Sequence, residues 1–166
     1  MNILRTLSRL TVLLIFTCLF LSCRAAPLKN NRTIEKYLQK NRLSYDVDAE
    51  GDFMVTYRLE DRTEQTVWIR GQMNYSGEEP IREVFSVGAV LDQEQVDYLS
   101  RYLLLDNFQT RVMGSWALLE NDSDSRAVLL YVVKSPLNAG PDYLESALRE
   151  TAYAAEIMKS VIPLPD

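Results

Sequence analysis

The chain has 166 residues, with 18 Lys and Arg, 23 Asp and Glu and no His, and 47% of its residues are apolar. This length and composition predict one globular domain with a short appendage. Without histidine, the sequence cannot build an imidazole general base, a histidine-based Ser or Cys triad, or a His-containing zinc site. The acidic balance also argues against nucleic acid as a partner, because phosphate neutralisation supplies most of that affinity.

The first 22 residues have the pattern of an export signal. Arg5 and Arg9 form a short basic region, and the apolar run Leu10–Leu21 follows it. The run has 12 residues, which is the length of a signal-peptide core and is well below the roughly 20 residues that span a bilayer. We therefore expect a secretion signal and not a transmembrane helix.

The run ends at Phe20-Leu21-Ser22-Cys23, which resembles the lipobox of bacterial lipoproteins. In that motif a small residue precedes a cysteine that is acylated before the signal is cleaved. The resemblance implies a signal peptide over residues 1–22 and a lipid with palmitate-type chains on Cys23. Phe20 departs from the aliphatic residue usual at the first position. The alternatives are cleavage after Ala25 by the ordinary signal peptidase and an uncleaved anchor.

Cleavage before Cys23 would leave 144 residues, with 16 basic and 23 acidic side chains and the acylated cysteine as the sole Cys. No disulfide could then form within the domain, so its stability would depend on the hydrophobic core. We expect a lipid-anchored, extracytoplasmic protein of the cell envelope. Arg24 stands where many lipoproteins retained at the inner membrane have Asp, which favours the outer membrane if the cell has two.

The first half of the mature chain is predicted to contain a tether, a helix and four strands. Residues 23–32 form the tether, residues 33–162 a single domain, and residues 163–166 a tail. The spacing of Ile34, Tyr37 and Leu38 predicts a helix over residues 33–42. Alternating apolar residues predict strands over residues 43–47, 53–59, 66–73 and 81–88. Between the last two strands, residues 75–80 are predicted to be an unpaired loop, because they contain Gly and Pro.

The second half is predicted to be a helix, a hairpin and a long helix. Asp92 and Gln95 have the pattern of a capping box for a helix over residues 92–107, with Val96, Leu99, Tyr102 and Leu103 facing the core. Strands are expected over residues 115–120 and 126–133. Residues 127–133 are continuously apolar, which indicates burial on both faces or a central place in the sheet. Pro141 opens a helix to about residue 161.

The order α-β-β-β-β-α-β-β-α predicts the α+β class with a mainly antiparallel sheet. This order resembles the YbjN family, which has the fold of the type III secretion chaperones. The resemblance covers about residues 33–161, and the segments that carry it are Asp48–Asp52, Leu103–Asn107, Gly114–Trp116 and the alanine-rich helix Tyr143–Met158. It implies a regulatory role with no catalytic residues to transfer. The chaperone relatives are cytosolic dimers that bind extended partner chains. The export signal argues against a cytosolic role for this protein, so the resemblance implies only a protein-binding surface.

One acidic segment resembles the start of a calcium-binding loop. Asp46, Asp48 and Glu50 supply oxygens at positions one, three and five, and Gly51 follows at position six. The twelfth position, where a bidentate Glu is needed, is Tyr57, and the flanking residues have the pattern of strands. These departures favour a solvated hairpin turn over a calcium site.

Two aromatic residues, Trp68 and Tyr75, are the candidate anchors for a partner, with packing in a second core layer as the alternative. Enzymatic activity and a cofactor are not expected. Glu78 and Glu79, in a hydrated loop, form the one candidate carboxylate pair, and the sequence has no Gly-rich phosphate loop, no Gly-x-Ser-x-Gly motif and no cluster with metal-ligand spacing. We therefore expect a membrane-anchored protein-binding or scaffolding module whose partner is another envelope protein, with a homodimer left open. The alternatives are an envelope enzyme that uses paired carboxylates and a calcium-stabilised structural lipoprotein.

Overall fold

A computed structural model describes residues 31–121 and 126–162, and these form three helices and one antiparallel sheet of seven strands. The elements in chain order are α1 (Asn31–Lys40), β1 (Ser44–Val47), β2 (Phe53–Arg58), β3 (Glu64–Ile69), β4 (Asn74–Ser76), β5 (Glu79–Leu91), α2 (Gln93–Gln109), β6 (Gly114–Asn121), β7 (Arg126–Pro136) and α3 (Pro141–Val161). The predicted α+β class and the order of the predicted elements are confirmed.

The strands lie in the order β1-β2-β3-β5-β7-β6, with the short strand β4 paired to the start of β5. Strands β1 and β6 are therefore the two edges of the main sheet. The long pair β5–β7 runs from Ile81 opposite Pro136 to Leu91 opposite Ala127, with a register shift between Val87 and Ala89. Strand β7 lies between β5 and β6. Its continuous apolar run therefore reflects an interior place in the sheet, which is one of the two predicted alternatives.

The predicted loop over residues 75–80 is wrong, because this segment contains a tight hairpin. Ser76 pairs with Glu79 and Tyr75 pairs with Pro80, while Gly77 in the turn has a φ of 64°. In a two-residue hairpin the pair next to the turn exchanges hydrogen bonds and the following pair does not. Pro80 therefore lacks no hydrogen bond to β4, since its backbone faces β7, where its carbonyl accepts the Leu137 N–H. The Gly and Pro that indicated a loop are compatible with strand pairing.

The helices pack on one face of the sheet and form the core with it. The fully buried strand residues on this face include Val67, Ile69, Val84, Leu129 and Val133. Helix α3 packs against them through small side chains, Ala147, Ala152 and Ala155, together with Leu148. Small residues allow the helix to approach the strands closely. Leu103 of α2 and Leu38 of α1 belong to the same cluster.

The opposite face of the sheet carries apolar side chains that are only half-buried. They alternate with the core residues along three strands, and they are Trp68, Phe85, Val87, Val90, Val128, Leu130 and Val132. No helix of the described residues covers them, since the three helices contribute to the core on the other side. We call this surface the open sheet face.

Candidate functional site

The two predicted anchor residues lie on opposite faces of the sheet. Trp68 pairs with Phe85, and Tyr75 pairs with Pro80. Paired residues share a face, and residues five positions apart on a strand lie on opposite faces. Trp68 is half-buried and stacks on the Phe85 ring at 5.7 Å between centroids, whereas Tyr75 is 66% exposed. The two aromatic residues therefore cannot form one contact surface.

A larger set of exposed apolar side chains lies on α2, on the segment after it and on the edge strand β6. Its members are Tyr98, Tyr102, Leu104, Leu105, Phe108, Val112, Leu118 and Leu119, which we call the α2–β6 surface. Phe108 is 88% exposed and Val112 is 93% exposed. Surface helices normally present polar side chains to solvent, so this arrangement marks a candidate site for contact with another molecule.

Tyr102 was predicted to face the core, and that prediction is wrong: its side chain is 58% exposed and contacts the Tyr98 ring. Leu103 is the buried residue of α2, with Val96 and Leu99 packed partly against the core. The predicted capping box is confirmed, since the Asp92 side chain accepts the Gln95 N–H and the Gln95 side chain accepts the Asp92 N–H. A signal for the exposed surface was present in the consecutive apolar residues 103–105, which cannot all face one side of a helix.

The backbone of β6 is partly covered at its edge. The Trp116 N–H donates to Asn107 Oδ1 at 2.7 Å, and Asn107 Nδ2 donates to the Trp116 carbonyl at 3.2 Å. These backbone groups therefore face away from β7. Because the direction alternates along an antiparallel strand, the N–H and C=O groups of Leu118 and Glu120 also face the open edge.

Apolar side chains lie on both sides of this edge. Trp116 is buried on the helix side of the sheet, and Leu118, two residues later, lies on the same side. Leu119 lies on the other side, next to Val128, with which it pairs. An extended chain added to β6 would thus find backbone groups to pair with and apolar contacts above and below.

A hydrogen-bonded group holds the end of α2 against β6. Asp106 Oδ2 accepts from Trp116 Nε1 at 2.8 Å and from Arg111 Nε at 2.7 Å. Burial acts to raise the pKa of Asp106, but the hydrogen bonds from Arg111 and Trp116 outweigh it and lower the pKa. The Arg111 guanidinium also lies over the rings of Trp116 and Tyr131.

Tyr131 continues this group into the core. Its hydroxyl donates to Glu150 Oε1 of α3 at 2.5 Å, and burial together with this contact raises its pKa. Its ring meets Trp116 edge to face at 5.0 Å between centroids. A chain of contacts therefore links the end of α2 to α3 through Trp116 and Tyr131.

The acidic segment at residues 46–50 spans the end of β1, where Asp46 pairs with Met54, and the turn of the β1–β2 hairpin. Asp48 Oδ1 accepts the backbone N–H groups of Glu50 and Asp52, and Gly51 has a φ of 86°. The Asp48 carboxylate thus organises the turn itself. Among residues 31–121 and 126–162, no three His, Cys, Asp or Glu side chains lie close enough together to hold a metal ion.

Several predictions concern residues outside the described ranges. The export signal, Cys23 and Arg24 precede Asn31, and the predicted tail over residues 163–166 follows Ile162. Within the two described ranges, no helix combines the length and the apolar character needed to cross a bilayer.

Comparisons with known proteins support the fold. No protein-family model matches the sequence, and no curated protein is similar to it. The structure is similar to the crystal structure of YbjN from E. coli, described as a proposed transcription regulator, with a TM-score of 0.51 and 9% sequence identity. The match covers 77% of this chain and 86% of that chain. The expected YbjN-like fold is thereby confirmed.

Proposed function

We propose that this protein is a lipid-anchored, non-catalytic module of the bacterial cell envelope that binds an extended segment of another envelope protein at the β6 edge. The observation that carries the proposal is the free edge of β6 with exposed apolar side chains on both sides. Strand addition of this kind obtains affinity from backbone hydrogen bonds and specificity from alternate side chains. The partner segment is expected to have apolar residues at alternate positions.

The anchoring part of the proposal is supported by the sequence of residues 1–23, which resembles a lipoprotein signal ending in Cys23. Several buried acyl chains, at about 0.8 kcal/mol per methylene, hold a protein durably on a membrane. Confinement to one membrane raises the effective concentration of the module near other envelope proteins. Even a modest affinity at β6 would then suffice for binding.

A regulatory role is compatible with the similarity to YbjN, and we place that role in protein contacts. Duplex DNA requires a surface that neutralises phosphates, whereas the mature chain would carry 16 basic against 23 acidic residues. The proposed module would act on its partner by occupying an extended segment and keeping it from other contacts.

Site-specific photo-crosslinking in the native envelope tests the proposal. A photoreactive phenylalanine derivative would replace Phe108 or Leu118 in the full chain, and Val47 would be the matched control. Val47 is an exposed apolar residue on the opposite edge strand, at 53% exposure. We expect Phe108 and Leu118 to give an adduct with the same protein and Val47 to give none.

A backbone variant distinguishes strand addition from non-specific hydrophobic contact. Leu118→Pro removes an N–H that faces the open edge, a position where an edge strand tolerates proline. We expect the adduct from residue 108 to disappear in this variant while circular dichroism shows a folded domain, and to persist in Val47→Pro, at the opposite edge of the sheet. An adduct that survives Leu118→Pro, or an adduct with a second copy of this chain, would contradict the proposal.

A further inference from the structure

A second feature, independent of the β6 edge, is a cavity of about 690 Å³ between α1, the start of β5, the end of β7 and the start of α3. Its apolar lining includes Ile34, Tyr37, Pro80, Pro136, Leu137 and Leu144. Small-molecule sites commonly measure roughly 300–1,000 Å³ and are mostly apolar with a few polar groups. The cavity therefore has the size and the lining of a ligand site.

Arg82, which lines this cavity, is a buried cation with an unused donor. It is 3% exposed. Its Nη1 donates to the carbonyl oxygens of Arg70 and Gly71, and its Nη2 donates to Asn31 Oδ1. Within residues 31–121 and 126–162 its Nε has no hydrogen-bond partner, and Arg82 makes no ion pair.

The carboxylate that interacts most with Arg82 already serves another cation. Asp52 accepts the Gly71 N–H at 2.7 Å and Arg70 Nη1 at 3.2 Å. Burial lowers the pKa of the Arg82 guanidinium, and Asp52 offsets this only in part. Two cations thus share one buried carboxylate. A buried charge without a close partner is costly, which indicates that an anion from outside completes the group.

Residues 1–30 contain no Asp or Glu. The carboxylates that line the cavity, Glu79, Asp142 and Glu145, make no ion pair with Arg82.

We propose that the cavity binds a small apolar monocarboxylate, with its carboxylate at Arg82 and its hydrocarbon part against the apolar lining. Ser135 is a further donor: it is buried, lines the cavity, and its hydroxyl makes one long bond of 3.3 Å to the Pro136 carbonyl. Glu79, Asp142 and Glu145 also line the cavity. Lys36 and Lys40 line it as well, so with Arg82 the lining has three formal positive and three formal negative charges. It therefore offers no excess of positive charge to a multiply charged anion such as phosphate, and a single carboxylate matches the one unpaired guanidinium.

The Nε–H resonance of Arg82 gives a direct test in the full chain, reconstituted in lipid nanodiscs and labelled with ¹⁵N-arginine. The resonance is assigned by its loss in Arg82→Lys, with Arg58→Lys as the control at an exposed arginine. We expect decanoate to shift the Arg82 resonance in a saturable manner. We expect decanol and inorganic phosphate to leave it in place. No shift with decanoate, an equal shift with decanol, or a shift with phosphate alone would overturn the proposal.

Two further measurements test where the carboxylate binds and which kind of molecule supplies it. Ala139→Phe places a ring in the cavity while Arg82 is retained, and we expect it to weaken the decanoate response at least tenfold with an unchanged melting temperature. An undiminished response in a folded Ala139→Phe protein would overturn the assignment to this cavity. N-acetyl-leucine tests the source of the carboxylate: a tighter response than decanoate indicates a peptide carboxyl terminus, and a weaker one indicates a fatty acid.

Discussion

Gly71 lies where the β1–β2 turn and the segment after β3 come into contact, and its N–H is held by the buried carboxylate of Asp52. A Cβ atom added at Gly71 would collide with the Gly51 carbonyl, which is backbone and cannot turn aside. We predict that Gly71→Ala lowers the free energy of unfolding by about 3 kcal/mol, measured by urea denaturation.

Gly77→Ala is the control for this prediction. Gly77 has a φ of 64°, but a Cβ atom there meets nothing within 4 Å. The substitution should therefore lower the free energy of unfolding only by the cost of holding a non-glycine residue in the left-handed conformation, about 1 kcal/mol. Equal losses in the two variants would mean that the contact between the turns does not restrict Gly71.

Asp106 is expected to make stability depend on pH. Its pKa is lowered in the folded protein, so it stabilises the fold above its unfolded pKa and this contribution is lost as pH falls through the folded pKa. Asp106→Asn should cost about 1–2 kcal/mol at pH 7 and less at pH 3 in urea denaturation. Asp46→Asn, at an exposed position of β1, should show no such difference. A cost for Asp106→Asn that is the same at both pH values would contradict the assignment.

At the scale of elements, α2 and α3 differ in how firmly they are attached. Helix α3 buries six residues, whereas α2 buries Leu103 alone. Helices in proteins are stabilised mainly by packing, and local opening is easiest where few apolar contacts are made. We predict that amides in the middle of α2 exchange hydrogen at least tenfold faster than those in the middle of α3.

Hydrogen-exchange mass spectrometry measures this difference, and Asp92→Ala serves as the internal test. Loss of the cap should cost about 1 kcal/mol and accelerate exchange in α2 while α3 is unaffected. Equal protection of the two helices would show that the exposed side of α2 is covered in the isolated protein.

At the scale of the whole molecule, the proposed anchoring of the domain to a membrane depends on Cys23. We predict that Cys23→Ser leaves a chain with no acyl chains and with the signal still attached, because lipid addition precedes cleavage in lipoproteins. Intact mass spectrometry of the membrane fraction measures both changes, and the wild-type product should begin at Cys23. A wild-type product that retains Met1, or that has an unmodified Cys23 and diffuses freely, would contradict the anchoring.

Local features of the structure were predictable from the sequence because they depend on neighbouring residues. The capping box at Asp92 and the proline that begins α3 act within one helical turn, and the strands follow from alternation. The loop predicted at residues 75–80 failed for a related reason: whether Pro80 disrupts pairing depends on its place relative to the turn, which composition does not reveal.

The candidate sites required the tertiary structure. Periodicity tells which residues share a face, but it does not tell what that face contacts. The opposite placement of Trp68 and Tyr75 follows from strand register, and the exposure of Phe108 follows from which side of α2 meets the sheet. Arg82 is an ordinary strand residue in the sequence, and only the packing of α1 and α3 around it makes it a buried cation beside a cavity. The sequence by itself determined the fold class and most of the elements, because these depend on contiguous residues, whereas the surfaces depend on contacts between residues far apart in the chain.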